Sequence, residues 1–167
     1  MATALPAGVD PQNALILETT PGTIVIKLHN DIAPGHAERL KLLAREQFYD
    51  DVPFHRVIEG FMAQTGDGEH GNGTGGSSYP DLKAEFSDKP FVRGTVGMAR
   101  ARNPNSANSQ FFICLEDAPH LNGNYTVWGQ VTDGMQLVDR IKKGNDAGGQ
   151  VFNPDKIIKM QLASDAR

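Results

Sequence analysis

An arginine and a glutamine stand among large apolar side chains in residues 54–64, which read FHRVIEGFMAQ. Arg56 is always protonated and carries a rigid fork of hydrogen-bond donors, whereas Gln64 can both donate and accept. Phe61 and Met62 supply apolar surface beside these polar groups. The residue types suit a site that binds without covalent chemistry, and they equally suit an ordinary barrel core with an arginine at its edge.

The period of a strand predicts how these side chains are placed. A strand over residues 60–64 would put Met62 and Gln64 on one face and Phe61 on the other, unless a bend or bulge intervenes. A second segment, residues 109–113 (SQFFI), supplies two further aromatic rings.

Nucleophilic and metal chemistry have no clear candidate. The one cysteine, Cys114, lies in the apolar run 111–115, whereas a nucleophilic cysteine needs exposure and a nearby base. We therefore interpret Cys114 as a small buried hydrophobe. No histidine has metal-ligand spacing to cysteine or to another histidine; the five are His29, His36, His55, His70 and His120. The sequence predicts no metal and no cofactor.

The glycine-rich residues 66–80 contain two nominal GxGxxG matches, at Gly66-Gly68-Gly71 and Gly71-Gly73-Gly76. A dinucleotide-binding fingerprint needs a helix directly after such glycines, and residues 77–80 (SSYP) do not begin one. We therefore predict a surface loop whose glycines allow turns and close approach to the rest of the fold.

Length and charge narrow the class of protein. The 167 residues suit one domain, which we place at 14–167 after a flexible lead over 1–13. A net charge of −4 disfavours nucleic acid as the main partner. Apolar runs stop at about five residues, far short of the ~20 that span a membrane. With one cysteine and no intact signal peptide, we expect a cytoplasmic protein, and nothing suggests more than a monomer.

Many short strands and two helices are predicted. Residues 15–17 and 23–28 form a hairpin around Thr20-Pro21-Gly22, and residues 34–48 and 134–142 are the helices. The further strands are predicted at 54–57, 60–64, 95–99, 110–115, 125–131 and 156–162. This arrangement predicts a mainly β fold, a closed or nearly closed barrel without exposed sheet edges.

Four motifs resemble the cyclophilins, a family of peptidyl-prolyl cis–trans isomerases. They are FHRVIEGFMAQTGD (54–67), GNGTGG (71–76), AEF (84–86) and SQFFICL (109–115), within a similarity that runs from about Leu15 to Leu162. The segments MARARNPNSANSQFFI and YTVWGQV resemble the bacterial branch. The resemblance implies an eight-stranded antiparallel β-barrel capped by two α-helices. It also implies an isomerase that assists protein folding by acting on proline-containing peptides and unfolded chains.

The resemblance also implies the site. Arg56 is the catalytic arginine, and Gln64 with the backbone of Arg100 binds the substrate backbone. The proline ring is expected in a pocket lined by Phe61, Met62, Phe112 and Leu121. The groove is bordered by Gly73, Ala99, Ala101 and Gln110, with His120 and Tyr125 at its rim.

Two positions depart from the animal members of the family. His120 stands where many of them have tryptophan, and Tyr125 stands where they have histidine. Segment 100–109 is also one residue longer than its counterpart in those animal members. Because that tryptophan contributes to cyclosporin binding in the family, we expect this chain to bind cyclosporin with reduced affinity.

Two other classes of function compete with the enzyme. A proline-peptide receptor would use the same apolar pocket, but binding alone would not need both Arg56 and Gln64. A nucleotide-binding protein would need the helix that is missing after the glycine loop.

Overall fold

The protein is described by a computed structural model that covers residue 5 and residues 7–166. The strands are β1 (Ala14–Thr19), β2 (Thr23–Leu28), β3 (Val52–Pro53), β4 (Arg56–Ile58), β5 (Met62–Thr65), β6 (Thr95–Met98), β7 (Phe111–Cys114), β8 (Val127–Asp133) and β9 (Lys156–Leu162). They pair in antiparallel fashion and form one sheet in the order β3-β9-β1-β2-β8-β6-β7-β5-β4.

The first hairpin is confirmed. β1 and β2 pair from Ala14 opposite Lys27 to Glu18 opposite Thr23. The Thr19 hydroxyl donates to the carbonyl of Gly22 across the turn, at 2.6 Å. The isoleucine, valine and leucine side chains of both strands are almost fully buried, which is why these short runs form strands.

The sheet has nine strands where the resemblance implied eight. The two outermost strands, β3 and β4, are separated by only Phe54 and His55, so residues 52–58 supply both ends of the strand order. β3 pairs with β9 and β4 pairs with β5. Counted as one interrupted strand, 52–58 restores the eight, and this course of the chain is compatible with a closed barrel.

Both helices are shorter than predicted. Helix α1 (Pro34–Arg45) begins with proline in its first turn, where the missing N–H costs little, and ends before Gln47, whose φ is 61°. Helix α2 is only Met135–Val138. The chain continues past α2 in single turns, because the amides of Arg140 and Ile141 donate to carbonyls three residues back.

Buried apolar side chains form two clusters. The larger cluster combines buried side chains of the strands, Trp128 among them, with the buried face of α1. The smaller contains Met62, Phe91, Phe112, Cys114, Ala118, Leu121 and Val127, with half-buried Phe61 and Tyr125 packed against it. Because its outer members are half exposed, this second cluster offers apolar surface to a ligand.

The N-terminal segment precedes the sheet. The predicted flexible lead falls partly on residues 1–4 and 6, which lie outside the described residues. Pro11–Asn13 forms one short 3-10 helix, capped by Asp10 through the amide of Gln12 at 3.0 Å. Among the described residues, no helix has the length and apolar character needed to cross a membrane.

Candidate active site

The pairing of β4 with β5 brings Arg56 and Gln64 together. The two residues are direct cross-strand partners. The Arg56 guanidinium donates from Nη1 to Gln64 Oε1 at 3.2 Å and from Nε to the carbonyl of Gly148 at 3.0 Å. The side chain is exposed, and its Nη2 donates no hydrogen bond to any residue the structure describes. Arg56 is therefore fixed at two of its nitrogens and keeps a donor free at the surface.

The turn between these strands decides where Phe61 lies. β5 begins only at Met62. Gly60, two residues earlier, has a φ of 75°, a left-handed conformation that favours glycine. Phe61 therefore belongs to the turn and lines the same cavity as Met62. The bend that makes the exception to opposite faces is therefore present.

A cavity of about 150 Å³ lies beside Arg56, and we call it the apolar cavity because most of its lining residues are aliphatic or aromatic. Gln64 lies opposite Phe112 in the pairing of β5 with β7, which brings the two apolar segments of the sequence side by side. The cavity is lined by Arg56, Phe61, Met62, Gln64, Ala99, Arg100, Phe112, Leu121 and Tyr125. Nine of the thirteen residues named from the sequence therefore meet in one place.

Aromatic rings build one wall of this apolar cavity. The ring of Tyr125 meets that of Phe112 edge-on, with centroids 5.8 Å apart. Phe91, which sequence reasoning missed, stacks on Phe112 with ring centroids 5.7 Å apart and does not itself line the cavity. His120 does not line the cavity; it is exposed, and its ring centroid lies 5.3 Å from that of Phe61.

A second, more polar cavity of about 440 Å³ adjoins the first. Gln64, Ala99 and Arg100 line both cavities, and Gly73, Ala101 and Gln110 line the second. Twelve of the thirteen residues that the sequence assigned to the site therefore line one of two adjoining cavities, and the thirteenth, His120, contacts Phe61.

A chain of side-chain amides links the two cavities. Gln64 Nε2 donates to Gln110 Oε1 at 3.0 Å. Gln110 Nε2 in turn donates to the carbonyls of Gly73 and Gly75, each at 2.9 Å. Gln64 is thereby oriented with its oxygen toward Arg56, so the glycine loop and the arginine belong to one hydrogen-bonded network.

Asp67 holds the glycine loop in place, and sequence reasoning did not single it out. Its carboxylate is 1% exposed and accepts five backbone amides, from Glu69, His70, Asn72, Gly73 and Gly75. Burial alone would raise the pKa of Asp67, but these hydrogen bonds outweigh it and lower the pKa to about 2. A carboxylate directly before a glycine-rich run was the available signal.

Burial shifts the pKa of two further groups near the groove toward their uncharged forms. Burial raises the pKa of the Cys114 thiol to about 12. Burial lowers the pKa of His55, next to Arg56, and the nearby Asp67 offsets this only in part. Among residue 5 and residues 7–166, no three histidine, cysteine or acidic side chains are grouped as metal ligands would be.

The match to known proteins agrees with this geometry. Residues 14–162 match the family model described as cyclophilin-type peptidyl-prolyl cis–trans isomerase/CLD. The chain is 56% identical to a probable peptidyl-prolyl cis–trans isomerase of Brucella suis, over 96% of this chain and 88% of that one. It is 39% identical to a peptidyl-prolyl cis–trans isomerase of Synechococcus elongatus, over 90% of this chain and 97% of the other.

Solved structures share the fold. A cyclophilin from Hirschia baltica superimposes with a TM-score of 0.86 at 26% identity, covering 95% of this chain and 77% of that one. A Cryptosporidium parvum cyclophilin-type isomerase, crystallised in the presence of the dipeptide Ala-Pro, superimposes with a TM-score of 0.81 at 27% identity, covering 89% and 98%. The chain belongs to the cyclophilin-type peptidyl-prolyl cis–trans isomerases, and the predicted family, its fold and its isomerase activity are confirmed.

Proposed function

We propose that this isomerase lowers the barrier to rotation about X–Pro bonds by donating a hydrogen bond from Arg56 to the prolyl nitrogen. Resonance gives the planar amide a barrier of about 18–20 kcal/mol. As the bond twists, the nitrogen becomes pyramidal and its lone pair becomes a hydrogen-bond acceptor. A donor placed there stabilises the twisted state more than the planar one, and this difference is what catalysis requires.

The position of Arg56 is the observation that carries the proposal. Its guanidinium borders the apolar cavity, is fixed through Gln64 and Gly148, and retains the free Nη2 donor. A fixed donor needs no reorganisation during the reaction, and the apolar walls strengthen its contact by lowering the local dielectric. No bond is broken in this mechanism, so it needs neither nucleophile nor base.

The apolar cavity is proposed to anchor the proline ring while the preceding carbonyl swings. Phe61, Met62, Phe112 and Leu121 give it apolar walls, and Gln64 with the backbone of Arg100 is proposed to hold the peptide backbone. Gly73, Ala99, Ala101 and Gln110 would border the bound peptide. The Ala-Pro dipeptide used with the Cryptosporidium relative supports a proline-containing ligand.

The decisive experiment replaces Arg56 by alanine. Losing a charged hydrogen bond costs roughly 1.5–3 kcal/mol, or about 10- to 150-fold in rate. We expect kcat/KM for a proline-containing tetrapeptide to fall by at least this range, with the circular dichroism spectrum and the Tm preserved. Near-normal turnover by folded Arg56→Ala would refute the role of Arg56 and would favour a proline-peptide receptor whose isomerase activity is incidental.

The wider proposal is a monomeric, cytoplasmic enzyme that assists the folding of proline-containing proteins, with no nucleic-acid partner. A single buried cysteine suits a reducing compartment, and slow X–Pro exchange limits the folding of many chains. Refolding of a model protein with a proline-limited phase tests this role, because that phase should accelerate with wild type and not with Arg56→Ala. Cyclosporin is proposed to bind in the same groove, with lower affinity than in tryptophan-bearing relatives.

A further inference from the structure

The side chain of Arg100 is bound entirely to the protein's own groups. Its guanidinium donates to the carbonyl of Asn124 from Nη2 at 2.6 Å and from Nε at 3.3 Å. Its Nη1 donates to the carbonyls of Ala101 and Arg102 at 3.0 and 3.2 Å. All three nitrogens therefore donate to backbone carbonyls, and these bonds use four of the five N–H donors of the guanidinium.

The same guanidinium covers one face of Tyr125, with its central carbon 4.6 Å from the ring centroid. Such a stack is attractive because the ring face is electron-rich and the arginine is always charged. The edge of Tyr125 meets Phe112, and Phe91 lies edge-on to Tyr125 at 6.5 Å. The tyrosine is thus held between Arg100 on one side and the aromatic cluster on the other.

These contacts join two loops that begin where the pairing of β6 with β8 ends, since the amide of Met98 still donates to the carbonyl of Thr126 at 3.0 Å. Arg100 follows β6, whereas Asn124 and Tyr125 lie between the short 3-10 helix Pro119–Leu121 and β8. Both loops contribute side chains to the apolar cavity, whose remaining walls come mostly from β4, β5 and β7. The width of the cavity on this side depends on how firmly the two loops are joined.

We infer that the Arg100 guanidinium is a positioning residue, which sets the place of the Tyr125 ring and thereby the fit of the proline pocket. This inference rests on the proposed function, since it takes the apolar cavity as the proline site. A pocket wall that contacts the substrate's proline ring equally when the X–Pro bond is planar and when it is twisted stabilises both states. Loosening it should raise KM and leave kcat nearly unchanged, unlike loss of Arg56, which should lower kcat.

A double-mutant cycle tests this coupling. We expect Arg100→Ala to raise KM for a proline-containing tetrapeptide about fivefold in the wild-type background and less than twofold in a Tyr125→Leu background. Tyr125→Phe keeps the ring, so Arg100→Ala should raise KM in that background by the same factor as in wild type. Arg100→Lys keeps a cation but cannot bridge the carbonyls of both loops, so its KM should lie between those of wild type and Arg100→Ala. It also serves as the readout if Arg100→Ala fails to fold.

The matched control is Arg102→Ala, because Arg102 is exposed and its side chain makes no hydrogen bond to the described part of the chain. Its KM should equal that of wild type. The inference is overturned if Arg100→Ala leaves KM unchanged, or if it raises KM equally with and without the tyrosine ring. Met62→Ala, measured alongside, separates the two levels: if it alters neither KM nor kcat, the cavity is not the proline site and the proposed function fails instead.

Discussion

The groove has one wall built from strands and one built from loops, and the two are fixed by different means. Arg56, Met62, Gln64 and Phe112 stand on β4, β5 and β7, where backbone ladders set their register. The opposite wall consists of the glycine loop and the segments 99–102 and 119–125, where side chains bonded to backbone groups take over the role of the ladder.

This difference predicts separate roles for the two walls. A strand ladder fixes a side chain within a fraction of an ångström, which suits a donor that must meet one nitrogen. A loop tied by Asp67, Gln110 or Arg100 can change its lining without disturbing the sheet, which suits the recognition of varied peptides. Changes on the strand wall should therefore affect the rate, and changes on the loop wall should affect stability or affinity.

The largest effect is expected from Arg56→Lys on the strand wall. An ammonium lacks the planar fork that binds Gln64 and Gly148 while presenting a third donor, so lysine should recover little of the activity that alanine loses. We expect kcat for the isomerisation of a proline-containing peptide to fall roughly 10-fold or more, with KM little changed. A lysine variant with wild-type kcat would show that charge alone suffices.

On the loop wall, Asp67→Asn should destabilise the fold. Removing a carboxylate that accepts five backbone amides should cost roughly 1.5–3 kcal/mol in the free energy of unfolding, measured in urea. Glu59→Gln, at an exposed carboxylate of the β4–β5 turn, is the matched control and should leave the urea midpoint in place. Equal midpoints for Asp67→Asn and Glu59→Gln would show that the loop does not need its anchor.

The acid stability of the wild type should carry the signature of Asp67. Because the folded-state pKa of about 2 is below the ordinary value of 3.8, this carboxylate stabilises the fold fully above about pH 4. The contribution is lost as the pH falls from about 4 to about 2. The Tm of the wild type should therefore fall more steeply over this range than that of Asp67→Asn, and parallel curves would contradict the assignment.

A smaller effect, on affinity alone, is expected from His120→Trp at the loop rim. A larger ring beside Phe61 should bury several tens of Å² more apolar surface of a bound cyclosporin, worth on the order of 1 kcal/mol, and its indole N–H adds a donor. We expect calorimetry to show cyclosporin binding about 10-fold tighter, with kcat/KM for proline peptides nearly unchanged. If wild type and His120→Trp bind cyclosporin with equal affinity, the size of the ring at position 120 does not limit cyclosporin binding.

The smallest effect is expected from the uncharged groups behind the strand wall. Cys114→Ala should keep the activity per folded molecule, because burial raises the pKa of this thiol to about 12 and leaves it unreactive. The rate should be nearly flat between about pH 6 and 8, since the mechanism transfers no proton and burial lowers the pKa of His55, which disfavours its charged form. A steep bell-shaped profile would reveal a proton-transfer step that this mechanism lacks.

The strand wall was largely predictable, and the loop wall was predictable only through resemblance. The short β-branched runs predicted the first hairpin, and the spacing of Arg56 and Gln64 fits a tight turn that makes them cross-strand partners. The contacts of Gly148 with Arg56 and of Asn124 with Arg100 had no local signal. Both are backbone carbonyls, and a carbonyl carries no residue type that a sequence could display.

The course of residues 52–58 has a consequence for how the enzyme meets its substrates. Unfolded chains carry unpaired backbone groups, and an open strand edge is a template on which they add and aggregate. Here one stretch of chain supplies both outer strands, and β4 also pairs with the segment around Gln150. Under the proposed role in protein folding, such a surface would be an advantage, because a half-folded chain would meet a groove from which it can dissociate and little strand edge to extend.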